Sequence, residues 1–267
     1  MKIEELLGIP SNCVMDKLIA KEKVFQNANL NSSNKKLFTD YVNQIRWNSR
    51  LAEDNTRILP YRDETKKYNE VEIIFITLKE EKLKELSDAN KINNSFFVQD
   101  KKIERIIEIL FRFILFPQLI VVQYKSKLKF YTTHLTIHLV DSNRFTLDEI
   151  ISTKWIDFNQ ITDVEENFLN NIKFDNLNHE NFFKFYGGYV DNIVKYNGEA
   201  EVGHEVDLPV DEIKSIKDRI AELDKEINQL ISKLNRETQP RLISKLNNEI
   251  RNRRIEKRDL LKLLDEH

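Results

Sequence analysis

The chain has 267 residues, of which 40% are hydrophobic and 32% are charged, a composition typical of a soluble globular protein with long exposed helices. Only five glycines and five prolines occur, which argues against turn-rich folds and against the glycine loops that cradle phosphates in motors and kinases. The single cysteine, Cys13, excludes an internal disulfide and fits a reducing compartment. Without a signal-peptide pattern or an uninterrupted apolar span, we expect a cytoplasmic protein.

The formal net charge of −2 hides an uneven distribution along the chain. Residues 1–50 carry eight basic and five acidic side chains, whereas residues 51–210 carry 20 basic and 27 acidic ones. Near the C-terminus, Arg241 to Lys262 holds eight basic and three acidic side chains. We therefore expect a polyanion to meet the ends of the chain first.

Residues 1–60 are predicted to form an N-terminal helical region. Cys13 to Phe25 has a mixed apolar and basic face. From Lys35 onward a longer amphipathic helix is predicted, because apolar side chains recur with a period of about 3.6 residues. These side chains are Leu37, Phe38, Tyr41, Val42, Ile45 and Leu51.

Residues 61–197 are predicted to form an α+β core. Glu70 to Leu78 is rich in β-branched residues, which indicates a strand, and the apolar pattern from Ile103 to Phe113 indicates a helix that packs on the sheet. The other predicted elements are a short helix within Lys79–Asn94 and strands at Leu119–Tyr124, Lys129–Val140 and Thr153–Phe158. The close spacing of the middle two strands favours an antiparallel hairpin. We expect a small, mostly antiparallel sheet with packed helices.

The core is predicted to end in a helix over Phe168–Asn197, interrupted at Gly187–Gly188. Residues 198–210 contain two glycines, four acidic residues and Pro209, which is typical of a linker. This linker is the predicted boundary before the last part of the chain.

Residues 211–267 carry the clearest pattern in the sequence, an apolar heptad seam. The seam consists of Ile213, Ile216, Ile220, Leu223, Ile227, Leu230 and Leu234. Pro240 begins a second helix of similar period, in which Arg253 and Lys257 occupy two seam positions. The pattern predicts an antiparallel coiled-coil helical hairpin with arms of about 25 residues.

Glu70 and Glu72 stand two residues apart on the first predicted strand, like carboxylates that hold a divalent metal in some nucleases. A restriction-type site also needs a lysine two residues after the carboxylate, and Lys79 does not have that spacing. His134 and His138 are four residues apart in a strand pattern, so about 13 Å separates them and one ion cannot bridge both. We expect no cofactor, no metal site and no catalytic residue.

Two sets of residues on the hairpin are predicted to bind partners. The basic run from Arg251 to Arg258 indicates contact with nucleic-acid phosphates. The apolar seam indicates a protein partner or a second copy of the chain. The predicted nucleic-acid-binding residues are Arg251, Arg253, Arg254 and Arg258, and the predicted partner-binding residues are Ile213, Ile220, Ile227 and Leu234.

Several segments form a pattern that extends over nearly the full length. They are Ile19–Phe25, Lys36–Phe38, Ile45–Leu51 with Thr56, the strand Val71–Leu78 and the closing charged hairpin. This layout resembles a bacterial family of unknown function, DUF4391. The family pattern after the tryptophan is Lys-Leu-x-Pro-x-Thr, from which this chain departs at Arg50 and Glu53. The resemblance implies a small companion protein encoded beside helicase-type ATPases and DNA methyltransferases in restriction or phage-defence islands, without catalytic residues.

The first hypothesis is therefore a non-enzymatic accessory subunit of a bacterial DNA-targeting defence or restriction system. It would bind a helicase-type ATPase or DNA methyltransferase through its hairpin, with DNA as a further ligand. Two alternatives stay open. One is a divergent metal-dependent nuclease that uses Glu70 and Glu72, and the other is a self-associating structural protein.

Overall fold

The computed structural model describes residues 2–28, 30–80, 92–137 and 145–266. The chain divides into two compact units, Met1–Ile193 and Val194–His267. The described α-helices are α1 Ile3–Leu6, α2 Lys21–Asn27, α3 Ser32–Tyr41, α4 Glu53–Thr56, α5 Ile92–Phe113, α6 Asp163–Asn171, α7 Phe182–Val202, α8 Val210–Leu234 and α9 Pro240–Asp265. The described strands are β1 Val14–Leu18, β2 Val42–Ala52, β3 Tyr61–Arg62, β4 Lys67–Tyr68, β5 Glu70–Leu78, β6 Gln118–Tyr124, β7 Lys127–Thr132, β8 Leu135–Ile137, β9 Phe145–Leu147, β10 Ile151–Ser152 and β11 Ile156–Asp157. Among these helices, none is both long enough and apolar enough to cross a membrane.

The α+β class is confirmed, and its main sheet has seven strands in the order β1-β2-β5-β6-β7-β10, with β11 also paired to β7. At the centre of this sheet β5 and β6 run parallel. A parallel pair needs a long crossover, which here includes the 22-residue helix α5. The prediction of a small, mostly antiparallel sheet is thus corrected to a larger, mixed sheet.

The N-terminal region is not wholly helical. The helix predicted from Lys35 to Leu51 is wrong in its second half, because α3 ends at Tyr41 and the 11-residue strand β2 follows. β2 lies between β1 and β5 and changes register twice, between Val42 and Gln44 and between Trp47 and Ser49. Such bulges break the two-residue alternation of a strand, so its buried side chains imitate helical spacing. Cys13 to Phe25, also predicted helical, contributes β1 as well as α2.

The later strands follow the prediction in part. β5 and the antiparallel β6–β7 hairpin are confirmed. The predicted long strand from Lys129 instead ends at Thr132, and its continuation β8 pairs with β9 in a separate sheet. Its last residues, 138–140, lie outside the described residues, as does most of the short helix predicted within Lys79–Asn94. The predicted fourth strand is replaced by β10 and β11, both of which pair with β7.

The aromatic residues that precede the predicted boundary are divided between two helices, α6 and α7. Phe182, Phe185 and Tyr186 of α7 are fully buried. The predicted interruption at Gly187–Gly188 is wrong, since α7 continues through both glycines. Gly188 allows a close approach of Leu177, because a Cβ there would lie 2.8 Å from Leu177 Cδ2 and this side chain would have to shift.

In the second unit, α8 and α9 pack against each other in antiparallel directions. Three ion pairs join them, and Arg219 pairs with Glu256 whereas Glu226, later on α8, pairs with Arg253, earlier on α9. They are Arg219–Glu256 at 2.7 Å, Asp224–Lys257 at 2.6 Å and Glu226–Arg253 at 2.8 Å. The two charged seam positions of α9 are therefore neutralised by acidic residues of α8. That this α8–α9 pair is a coiled coil stays a prediction.

Candidate functional site

The paired carboxyl groups of β5 are brought together by the fold. Glu70 and Glu72 project from the same side of the strand, and their carboxyl groups lie within hydrogen-bond reach of each other. Glu72 is 0% exposed, and the Trp47 indole N–H donates a hydrogen bond to its Oε2. A buried carboxyl pair of this kind is uncommon, because buried charge is costly without partners.

Arg50 and Asp54 complete the charged part of this site. The Arg50 Nε and a terminal guanidinium nitrogen each lie 2.7 Å from Glu70 Oε2. Arg50 also contacts Asp54 at 3.3 Å, and its side chain is 35% exposed. The site thus runs from the interior at Glu72 to the surface at Arg50.

Gln118 adds a neutral group from the neighbouring strand. It is the register partner of Glu72 in the parallel β5–β6 pair and is 1% exposed. Its Nε2 donates to the Ile114 carbonyl at 3.0 Å, which fixes the orientation of the amide. The Oε1 atoms of both Gln118 and Glu72 are buried, and neither has a hydrogen-bond partner in the described part of the chain.

The environment of Glu72 favours its protonated form. Burial raises the pKa of the Glu72 carboxyl to about 8, with a smaller contribution from the Glu70 charge, against the opposing effects of the Trp47 hydrogen bond and Arg50. At neutral pH Glu72 is therefore protonated. Such a pair is able to give or accept a proton, and it also offers oxygen ligands to a hard cation.

The lysine of a restriction-type nuclease site is missing beside these carboxylates. The position two residues after Glu72 is Ile74, which is fully buried in the core. Lys79 instead donates a hydrogen bond to the Thr39 carbonyl at 2.7 Å. Within the described residues, no group of three or more His, Cys, Asp or Glu side chains is arranged to hold a metal ion.

His134 belongs to an aromatic cluster of the core. Its Nδ1 lies 2.7 Å from the Tyr68 hydroxyl, and its ring is 5.8 Å from those of Phe183 and Tyr186. This packing agrees with a structural role for His134. His138, the other member of the predicted histidine pair, lies outside the described residues.

The predicted nucleic-acid-binding arginines fall into two classes on α9. Arg253 bonds to Glu226 at 2.8 Å, and so faces α8. Arg251, Arg254 and Arg258 are exposed, and none of the three has an ion pair to α8 in the described part of the chain. Arg258 forms an ion pair with its neighbour Asp259, at 3.4 Å.

The predicted partner-binding residues do not form an exposed surface. Ile213, Ile220 and Ile227 are 0%, 7% and 8% exposed, and Leu234 is partly exposed. The seam is thus already covered within the second unit, where Ile213 also contacts Gly198. A partner that binds this unit without opening it must use other residues.

Sequence reasoning found Glu70 and Glu72 but missed Trp47, Arg50 and Gln118 as their neighbours. The signal for Gln118 would have been a polar residue at the start of an otherwise apolar strand. That Gln118 lies beside Glu72, however, depends on the register between β5 and β6, which cannot be read from a local sequence pattern.

Comparisons with known proteins support an assignment by family alone. A search of curated proteins and a search of solved structures find no significant match. A family model, described as a domain of unknown function, matches residues 7–257, which is nearly the whole chain. The chain therefore belongs to the DUF4391 family.

Proposed function

We propose that this protein is a non-enzymatic accessory subunit of a bacterial DNA-targeting anti-phage defence or restriction system. It binds a helicase-type ATPase, or a DNA methyltransferase of the same system, through the α8–α9 pair, which we take to be a coiled-coil hairpin. The family resemblance supplies the expected setting. The outer face of α9 is the observation that carries the proposal.

This face combines exposed cations with exposed apolar side chains. Arg251, Arg254 and Arg258 follow the spacing of one helical stripe. Next to this stripe Ile255 is 37% exposed and Leu263 is 38% exposed. The apolar residues offer contact to the partner protein, and the arginines offer charge to the phosphates of DNA that the partner holds.

Affinity purification of the full-length protein from its native host tests this surface. The first variant replaces Arg251, Arg254 and Arg258 by Glu. The matched control makes the same charge change on α8, at the exposed residues Lys214, Lys225 and Lys233. A third variant replaces Ile255 and Leu263 by Ser.

We expect a helicase-type or methyltransferase partner with the wild type and with the α8 control. The partner is lost with the Ile255 and Leu263 variant, and salt-sensitive DNA is lost with the arginine variant. Equal recovery of the partner protein and of DNA with all variants contradicts the assignment of the binding surface to α9. Recovery of the chain itself as a dimer, measured by sedimentation, favours the self-association alternative.

A metal-dependent nuclease is the second candidate, and the Glu70–Glu72 pair beside Gln118 is the observation that favours it. This candidate predicts DNA cleavage with Mg²⁺ or Mn²⁺ that is lost in Glu72→Gln. The accessory function predicts no cleavage with any divalent metal. Incubating the purified full-length protein with plasmid and linear DNA distinguishes the two.

A further inference from the structure

Three oxygen-bearing side chains start from the first residues of β5 and β6, where Glu70 interacts with Glu72 and Gln118 is the register partner of Glu72. Each is fixed at one end by a hydrogen bond: Glu72 by the Trp47 indole and Glu70 by the Arg50 guanidinium. Gln118 is fixed in the same way, because its Nε2 donates to a backbone carbonyl of the preceding turn. The remaining oxygens of Glu72 and Gln118 are buried and have no hydrogen-bond partner among the residues that the structure describes.

These oxygens belong to side chains that project from the same face of two neighbouring strands. Glu72 and Gln118 are register partners, so their side chains start from backbones about 4.8 Å apart and share a face. Glu70 faces the same side, two residues before Glu72. A cluster that offers only oxygen acceptors suits a hard divalent cation, since such cations prefer carboxylate and amide oxygens.

We infer that Glu70, Glu72 and Gln118 bind one hard divalent cation, Mg²⁺ or Mn²⁺. When the cation binds, Glu72 releases its proton to the solvent, so that the two carboxylates supply negative charge, the Gln118 amide supplies a neutral oxygen, and water fills the other positions of the octahedral shell. Glu70, whose side chain is 13% exposed, lies on the route of entry. The inference extends the nuclease candidate, but the cation site does not depend on DNA cleavage or on the α9 surface.

A proton is the competing way to satisfy the same oxygens. A protonated Glu72 shares its proton with the Glu70 carboxyl, which lies within hydrogen-bond reach, and closes the site without a metal. Only the metal-bound arrangement predicts saturable binding of one cation per chain. A binding measurement therefore distinguishes the two arrangements.

The test uses full-length protein freed of metal by chelation and titrated with Mn²⁺. Binding is followed by calorimetry and by the fluorescence of Trp47 in a Trp155→Phe background. We expect one Mn²⁺ per chain, competition by Mg²⁺, and a change in Trp47 emission because its indole is bonded to Glu72. Glu72→Gln and Glu70→Gln each weaken binding by at least about tenfold, whereas Glu166→Gln, an exposed carboxyl on α6, leaves it unchanged.

Absence of saturable Mn²⁺ binding overturns the inference. Equal affinity in the wild type and in Glu72→Gln overturns it as well, because the ion then binds elsewhere. If Glu72→Gln lacks the circular dichroism of the wild type, Glu70→Gln at the rim of the site decides the question by the same two readouts. Cleavage assays are not needed for either outcome.

Discussion

The two compact units of this protein are built by different kinds of contact. In the second unit, α8 and α9 join over a short loop, bury a periodic apolar seam and pair their charges at the surface. In the first unit, β2 lies between two strands from other parts of the chain, and polar groups such as Glu72, Gln118 and Lys129 are buried. The comparison teaches that unit 1 depends on distant partners for both its packing and its polar groups, whereas unit 2 depends on local period.

The largest expected loss of stability comes from a cavity in the core of the first unit. Phe130 of β7 is fully buried and packs edge-on against Phe168, with ring centroids 5.5 Å apart. Phe130→Ala should lower the free energy of unfolding by about 3–5 kcal/mol, because the transfer and cavity terms add. In Leu223→Ala, on the seam of α8, the loss should be about 2–5 kcal/mol and confined to unit 2.

Hydrogen exchange measured by mass spectrometry separates the two variants. We expect faster exchange in β5, β6 and β7 for Phe130→Ala, and faster exchange in α8 and α9 for Leu223→Ala. If either variant accelerates exchange equally in both units, the units unfold together and the contrast between them fails.

The same contrast explains how much of each unit could be predicted from the sequence. The seam from Ile213 to Ile227 and the strand Glu70–Leu78 were predicted because their patterns are local. β2 was mistaken for helix, because its bulges at Val42 and Trp47 place buried residues at helical spacing. The mixed sheet was missed because the direction of β6 relative to β5 is set by a crossover and not by either strand's composition.

The candidate site shows the same limit. Glu70 and Glu72 were found because two residues on one strand share a face. Trp47 and Gln118 come from strands whose registers against β5 are fixed only by the whole sheet. The periodic apolar residues Ile213, Ile220 and Ile227 were found in the same way, but whether they are exposed or buried depends on packing, and the structure buries them.

The second prediction concerns the pH dependence of the metal-free protein. The folded pKa of Glu72, about 8, lies above its ordinary value of 4.5, so the folded state holds an extra proton between these values. The preference of the folded state for protonated Glu72 contributes fully to the free energy of unfolding below about pH 4.5. This contribution falls by about 1.4 kcal/mol per pH unit above that pH and is gone above about pH 8. Arg50 and Glu70 face the same carboxyl, and they act on its pKa in opposite directions, Arg50 lowering it and Glu70 raising it.

Urea unfolding of the full chain at pH 5.5, 6.5 and 7.5, with a chelator present, measures this slope. Glu72→Gln should flatten it, because an amide does not titrate, and Glu166→Gln should leave it as in the wild type. Identical slopes in the wild type and in Glu72→Gln would show that other groups govern stability in this range.

The smallest expected effect belongs to the surface charges of the second unit. Lys257 lies 2.6 Å from Asp224, with 30% and 49% of the two side chains exposed. Lys257→Met keeps most of the apolar stem and removes the charge, so we expect a loss of about 0.2–1 kcal/mol at low salt. In 1 M salt, where the screening length is about 3 Å, the loss should nearly vanish.

Lys262→Met is the matched control, because Lys262 is exposed on the same helix and its side chain has no ion pair in the described residues. A double-mutant cycle with Asp224→Asn isolates the pair from changes in packing. If the coupling persists at 1 M salt, or if Lys262→Met costs as much as Lys257→Met, the cross-helix pair does not contribute in the expected way. Screened surface charge would then not distinguish unit 2 from unit 1, and the contrast would rest on the apolar seam of unit 2 against the buried polar groups of unit 1.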